Sequence, residues 1–228
     1  MSADSASRTL DRGLERLGLA LSQAQRAQLL TYLDLLEQWN RRFNLTAVRD
    51  RSAMVTRHVL DSLSIWPFIR GQRLIDVGSG AGLPGMVLAI ADPGREYTLL
   101  DSRGKKIRFL MQVKSALRLE RLQVVQARVE NHRCDAGFDQ VLSRAFAPLG
   151  AMIAKCDHLL SDAGEFVAMK GRYPEQELRA LPAGYALRAA QTLQVPGLFE
   201  ERCVLRIGRR EPDERGIAVR ASAAWRLQ

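Results

Sequence analysis

The chain is poor in the residues that build metal sites and disulfide frameworks. Its three cysteines, Cys134, Cys156 and Cys203, stand far apart with no C-x-x-C, and its three histidines form no H-x-x-x-H. Neither a zinc site nor a disulfide scaffold is expected, and a reducing cytoplasm is the natural compartment. No apolar run approaches the ~18 residues that span a bilayer. Asp4, Asp11 and Glu15 interrupt the amino terminus where a signal peptide needs an unbroken apolar core. Repeats and low-complexity tracts are missing too, which points to one globular unit of ordinary size with an extension. Acid is also in deficit: 25 Asp and Glu face 34 Lys and Arg, a formal net charge of +9. Such a balance implies a polyanionic partner, although charge alone does not separate nucleic acid from an acidic membrane surface.

What is present is apolar material for a core, 46% of the residues, and one dense glycine stretch. Residues 73–85 read Arg-Leu-Ile-Asp-Val-Gly-Ser-Gly-Ala-Gly-Leu-Pro-Gly. Leu74, Ile75 and Val77 suit a buried strand, Pro84 suits a first helical turn, and Met86 to Ala91 supply that helix's apolar body. Between them, glycines at 78, 80 and 82 let backbone pass close to a ligand, and would be needlessly destabilising in a plain turn. A literal G-x-G-x-x-G occurs at Gly80, Gly82 and Gly85, the weak dinucleotide fingerprint. Asp76 shifts that reading: Asp-x-Gly-x-Gly-x-Gly at a strand end is similar to the first motif of S-adenosylmethionine-dependent methyltransferases. A carboxylate there suits a ligand bearing an ammonium and a sulfonium.

Before this stretch the pattern is helical. Residues 1–8 are expected to fray, and Leu10, Leu14 and Leu17 mark a short helix from Thr9 to about Gly18. Ser22 with Gln25 forms a capping box opening a long helix whose stripe is Leu29, Leu33, Leu36, Trp39 or Asn40, and Phe43. Trp39 and Phe43 continue that stripe and are read as plugs onto the main domain. Ser52 is expected to cap a further helix ending at Trp66, on which His58 and Asp61 stand close enough to form a structural pair. After the glycines, strand and helix alternate, as in a parallel sheet covered on both faces. Tyr97 to Leu100 is a strand ending in Asp101, about twenty residues past the glycines, where a nucleoside ribose would meet a carboxylate. The stretch from Arg103 to Arg121 is the most basic, with Ile107, Leu110, Val113 and Leu117 facing in. Lys105, Lys106, Arg108 and Lys114 are therefore candidate phosphate contacts. Strands follow at 122–126, 138–143 and 165–169, with a helix at 149–160 and another from Pro174. An antiparallel hairpin near 185–195 and 203–208 is expected to finish the sheet. From Arg209 the tail is polar, basic and expected to be loosely held.

Several segments together carry a family resemblance. Trp39-Asn40, Phe43-Asn44-Leu45-Thr46, Arg57-His58 with Asp61-Ser62, Ile75 to Gly85, Leu100-Asp101-Ser102, Val141 to Phe146, and Met169-Lys170-Gly171 resemble the ribosomal RNA small subunit methyltransferase G family, also called glucose-inhibited division protein B. The resemblance runs from about Leu29 to Ile207. It implies an α/β class I S-adenosylmethionine-dependent methyltransferase fold, mostly parallel, with an N-terminal helical extension. The implied organisation is 1–70 extension, 71–209 methyltransferase domain and 210–228 tail. It further implies methylation of N7 of one guanine in the decoding-region loop of 16S ribosomal RNA, in the bacterial cytoplasm; separately from the resemblance, the chain is expected to act as a monomer. By the matching motifs Gly78 and Leu83 would line the methionine side of the cofactor, with Asp76, Gly80, Gly82 and Asp101 around it. Val129 and Glu130 would flank the adenine, and Arg144 would reach in from the fourth strand. Ser79 and Ala81 stand where many relatives carry Thr and Pro.

The segment after the fourth strand, Ser143-Arg144-Ala145-Phe146, lacks the Asn/Asp-Pro-Pro-aromatic turn that exocyclic amine methylation uses. Cys134 and Cys156 fall outside it, so a thiol nucleophile for carbon-5 chemistry is missing as well. Arg144 and Lys170 are expected to position the reactants, Lys170 by holding a phosphate, with no obligate base. Phe146 is expected either to stack on the base or to sit in the core. Two other readings compete. A nicotinamide-dependent oxidoreductase lacks a Tyr-x-x-x-Lys or a hydride-transfer histidine set, and Asp76 would crowd its pyrophosphate. A basic RNA-binding assembly factor with a vestigial pocket conflicts with the intact Asp76, glycines and Asp101.

Overall fold

A computed structural model describes residues 3–210. Helix α1 spans Ala3–Leu17 and α2 spans Gln23–Phe43. The first begins earlier than the leucine spacing suggests, because Ala6 extends the buried stripe of Leu10 and Leu14 by one turn. Alanine is too small to announce a stripe by itself. The capping box at α2 forms as expected: Ser22 Oγ accepts from Gln25 N at 3.2 Å, and Gln25 Oε1 accepts from Ser22 N at 2.8 Å. Asn40 is buried on this helix, and Trp39 packs its ring against Phe43 and Phe109.

The next helical run is capped by Asp50, not Ser52: its carboxylate accepts from Ala53 N at 2.8 Å. It comprises α3 (Arg51–Met54), a π-helical stretch at Val55–Leu60 and α4 (Asp61–Leu63). The wider π winding changes which side chains share a face, and such segments are frequent at functional sites. The sheet then begins with β1 (Arg73–Val77), followed by α5 (Gly85–Ala91), β2 (Glu96–Asp101), α6 (Gly104–Leu117) and β3 (Leu122–Gln126). The second half comprises β4 (Phe138–Arg144), α7 (Leu149–Cys156), β5 (Leu160–Lys170), α8 (Glu175–Arg179), β6 (Tyr185–Thr192) and β7 (Cys203–Arg209). Strand order is β3-β2-β1-β4-β5-β7-β6. The first five strands pair in parallel, and β7 lies antiparallel between β5 and β6.

Alternation along the strands splits the core in two. Leu74, Leu99, Leu142 and Val167 face a cluster built with α1, α2, α5 and α6. Ile75, Leu100, Val141 and Phe166 face the other, covered by α7. The N-terminal helices thus share a continuous core with the sheet. The chain is still firmly held at Arg209 and Arg210: Arg209 Nη2 pairs with Asp157 Oδ1 at 2.7 Å, and Arg210 N donates to Gly184 O at 2.8 Å. The tail from 211 lies outside the described residues.

Candidate active site

At the C-terminal end of β1 the chain turns through the glycines, where an open α/β sheet takes its ligands. Gly80 has φ +61°, and a Cβ there would meet only the tip of Lys106 at 3.5 Å and a backbone oxygen at 3.8 Å. The backbone is therefore bare on that side. Gly78 has φ +66°, and the Phe146 ring occupies the space beside it, 2.6 Å from a notional Cβ. The loop is braced from below. Asp76 is buried, and its Oδ2 accepts from Gly85 N at 2.8 Å. Its Oδ1 is buried and has no hydrogen-bond partner among the described residues. Burial pushes its carboxyl up to about 7, against the opposing pull of the Gly85 N–H and Arg144. From the outside, Tyr32 on α2 donates its hydroxyl to Ala81 O at 2.9 Å. Leu83 lies in the main core, so it offers the loop's outer side backbone rather than side chain.

Asp101 ends β2 beside this loop. Its Oδ2 accepts from Gly80 N at 3.0 Å and faces Lys106 Nζ at 3.4 Å, while Oδ1 accepts from Arg103 N at 2.9 Å. Lys106 therefore does not stand on the outer face with Lys105 and Arg108, as the basic stretch suggested. Lys105 reaches Phe43 O at 3.3 Å, Arg108 is exposed and Lys114 is half-buried. Val129 is buried in the second core, and the exposed Glu130 pairs with Lys155 at 3.1 Å. Both lie on a single 3-10 turn after β3, on the same edge of the sheet as the glycine loop.

Beyond β1, the ends of β4 and β5 open on a cleft of about 380 Å3. The π-helical stretch supplies one wall with Arg57, His58 and Asp61; Arg144, Lys170 and Arg202 complete its charged lining. His58 and Asp61 do not pair with each other. His58 Nε2 lies 2.9 Å from Thr46 Oγ1, and burial, helped by Arg144, pushes its pKa down to about 4. Asp61 faces two arginines: Arg144 Nη1 donates to Oδ2 at 2.8 Å, and Arg202 Nε stands 3.2 Å from Oδ1 as an ion pair without hydrogen-bond geometry. Arg144 Nη1 also donates to Arg57 O at 3.2 Å. Lys170 donates to Glu177 Oε2 at 2.9 Å, Glu177 Oε1 at 3.2 Å and Ala147 O at 3.3 Å, which uses all three of its protons. Phe146 is half-buried against the second core as well as against Gly78.

Sequence reasoning missed Arg202 and the role of Asp61 as the bridge to Arg144. Arg202 follows Glu200 and Glu201 in a loop whose charges read as ordinary surface, and only the β5–β7 pairing brings it to the cleft. Lys106 was legible as a cation but not as a partner of Asp101. Among the described residues no group of three His, Cys, Asp or Glu side chains is placed to hold a metal, and no helix is long and apolar enough to cross a membrane.

Among solved structures, the glycopeptide N-methyltransferase MtfA complexed with S-adenosyl-L-homocysteine superposes with a TM-score of 0.56, at 13% identity over 67% of this chain and 87% of that one. The same enzyme complexed with sinefungin gives 0.58, at 11% identity over 67% and 94%. At such identities the likeness defines the fold alone: this is a class I methyltransferase fold. The GidB family, rRNA small subunit methyltransferase G, matches residues 25–205. The ribosomal RNA small subunit methyltransferase G of Saccharophagus degradans is 49% identical over 200 residues, covering 88% of this chain and 90% of the relative. That of Aeromonas salmonicida is 48% identical over 200 residues, covering 88% and 96%. The chain belongs to the rRNA small subunit methyltransferase G family.

Proposed function

We propose that this chain methylates N7 of a guanine in 16S ribosomal RNA, using S-adenosylmethionine, as a monomer in the bacterial cytoplasm. Family membership supports the rRNA substrate, and the bare backbone at Gly80 beside Asp101 fits the cofactor. Asp101, the backbone of Gly78 to Leu83, and the Val129–Glu130 turn would hold it, with Asp76 positioning the loop from beneath. The division into an extension at 1–70 and a methyltransferase domain at 71–209 belongs to the same reading, the extension supplying the Arg57–Asp61 wall of the substrate cleft.

The observation that carries the N7 assignment is the chemistry of that cleft. Its one carboxylate is committed to two arginines, and its histidine is held neutral. Ser143 donates its hydroxyl to Met152 Sδ at 3.0 Å. Cys156 and Cys203 are pushed up to about 12 and about 11 by burial, so neither is a thiolate at neutral pH. Among the described residues lining the cleft there is no acceptor turn of the Asn/Asp-Pro-Pro-aromatic kind for an amine proton. His58 is a weak base whose Nδ1 is buried, and no thiolate stands ready for attack on carbon. Guanine N7 needs none of these, since its lone pair is free and no proton leaves. The bound cofactor supplies an activated methyl on a positively charged sulfur. The chain's own residues contribute alignment: Arg144 is held against the π-helical wall by Asp61 and the Arg57 carbonyl, which fixes its guanidinium at the β4 end of the cleft.

The test is methyl transfer to small-subunit rRNA taken from cells lacking the gene, followed by borohydride reduction and aniline cleavage, which cuts the strand at N7-methylguanine. One new scission is expected. Incorporation of methyl without any scission would overturn the N7 reading.

A further inference from the structure

The cleft holds more cation than alignment of a neutral base requires. Four cations line it, Arg57, Arg144, Lys170 and Arg202, against the single acid Asp61. They are not equally available. Lys170 is saturated by Glu177 and the Ala147 carbonyl, which removes the residue that the sequence put forward for a phosphate. Arg57 is paired with Glu200 at the mouth. Among the described residues Arg144 spends only Nη1. Arg202 turns Nε to Asp61 and gives Nη1 to Glu201 O at 2.7 Å. The Nη2 groups of both guanidiniums meet no acceptor among the described residues.

Asp61 sits between them, 2% exposed, with one oxygen to each arginine. Desolvating such a triad is costly, and one carboxylate neutralises only one of two guanidiniums. The result is two forks facing one carboxylate, each with N–H groups that meet no acceptor among the described residues, and together one positive charge in excess. That is the donor set for a phosphate, whose oxygens accept from planar forks in pairs. A guanine edge would satisfy one or two donors but leave the charge uncompensated.

We propose that Arg202, held beside Arg144 by Asp61, binds a phosphate of the target nucleotide and so seats that nucleotide at the β4 end. This rests on the rRNA reading above. Asp61 is a positioning residue: it contacts the two arginines, and its effect on RNA passes through them.

The experiment uses the full chain and an RNA fragment carrying the target loop, with and without neutral methylphosphonate linkages flanking the target guanine. RNA affinity is measured against salt for wild type, Arg202→Gln and Arg202→Lys, alongside S-adenosylmethionine affinity by calorimetry. Arg202→Gln should weaken RNA binding about tenfold and flatten the salt slope by about 0.7–0.9, the value for one lost phosphate contact. Arg202→Lys should restore the slope, and cofactor affinity should stay within about twofold throughout. The methylphosphonate RNA should bind wild type as weakly as Arg202→Gln binds native RNA, with no further loss when the two changes are combined. Asp61→Asn should lower kcat and raise KM for RNA while keeping the salt slope. If wild type methylates the RNA but Arg202→Gln keeps its affinity and slope, the phosphate seat is wrong and the rRNA reading stands. If wild type leaves the RNA unmethylated, the functional reading fails and the phosphate seat with it.

Discussion

Asp76 shows how one residue can carry two requirements. Its carboxylate braces Gly85, yet its other oxygen is buried without a partner among the described residues, and burial raises its pKa from 3.8 to about 7. The folded protein therefore keeps this proton at pH values where the unfolded chain has released it. Between about pH 4 and pH 7 the native state binds more protons, so this group's contribution to stability is full below the lower value and is lost as pH rises through the upper one. Asp76→Asn keeps an oxygen acceptor for Gly85 N and removes the titration. Urea unfolding from pH 4.5 to 8 should show the wild type losing stability relative to the variant as pH rises, by roughly 1 kcal/mol per pH unit across the middle of that window. A difference that is constant with pH would remove Asp76 as the source. The same residue was legible in the sequence as a motif carboxylate. Its place beneath the loop, away from open ligand space, was not.

At the scale of elements, α6 combines two jobs on one helix. Ile107, Phe109, Leu110, Val113 and Leu117 pack inward, and the sequence spacing fixed all of these but Phe109. The outward cations divide. Lys106 leans on Asp101 and belongs to the loop, whereas Lys105 and Arg108 are exposed on the face shared with the C-terminal end of α2. Our expectation is that Lys105 and Arg108 meet RNA backbone. Reversing both charges should reduce the salt slope of RNA binding by about one unit per lost contact and leave S-adenosylmethionine affinity near wild type. An unchanged slope would make this a merely solvated face. The π-helical stretch belongs to this scale too. Neither hydrophobic spacing nor capping announces it; in the fold the stretch packs against α1 and runs directly into α4. Its consequence is that His58 turns to Thr46 while Asp61 turns to the arginines.

Over the whole molecule, labour is divided between the C-terminal ends of the sheet strands and a helical wall, and the histidine between them titrates far below neutrality. His58 is held neutral to about pH 4, and the cysteines in the sheet and on α7 stay protonated well above neutrality. Asp76 titrates near 7, but it lies beneath the loop and away from open ligand space, so its proton bears on stability and not on the chemical step. The single-turnover rate of methyl transfer on bound RNA should therefore stay nearly flat from about pH 6.5 to 9. A steep log-linear rise abolished by changing one titratable residue would sink catalysis by alignment alone.

The amino-acid sequence by itself determined the strand–glycine–helix turn, the order of strands and helices, the acid at the end of β2, and the apolar stripes that pack the helices down. These are local or periodic features, set by backbone conformation, capping and hydrophobic spacing within a few residues. Only the tertiary structure decided which charges meet. Arg202 reaches Asp61 because β7 enters antiparallel beside β5, and Lys106 reaches Asp101 because α6 returns over the end of β2. Lys170 is consumed by Glu177 across the turn into α8. Ionic partners are chosen by distance and burial across the fold, and neither quantity is written in the spacing of residues along the chain.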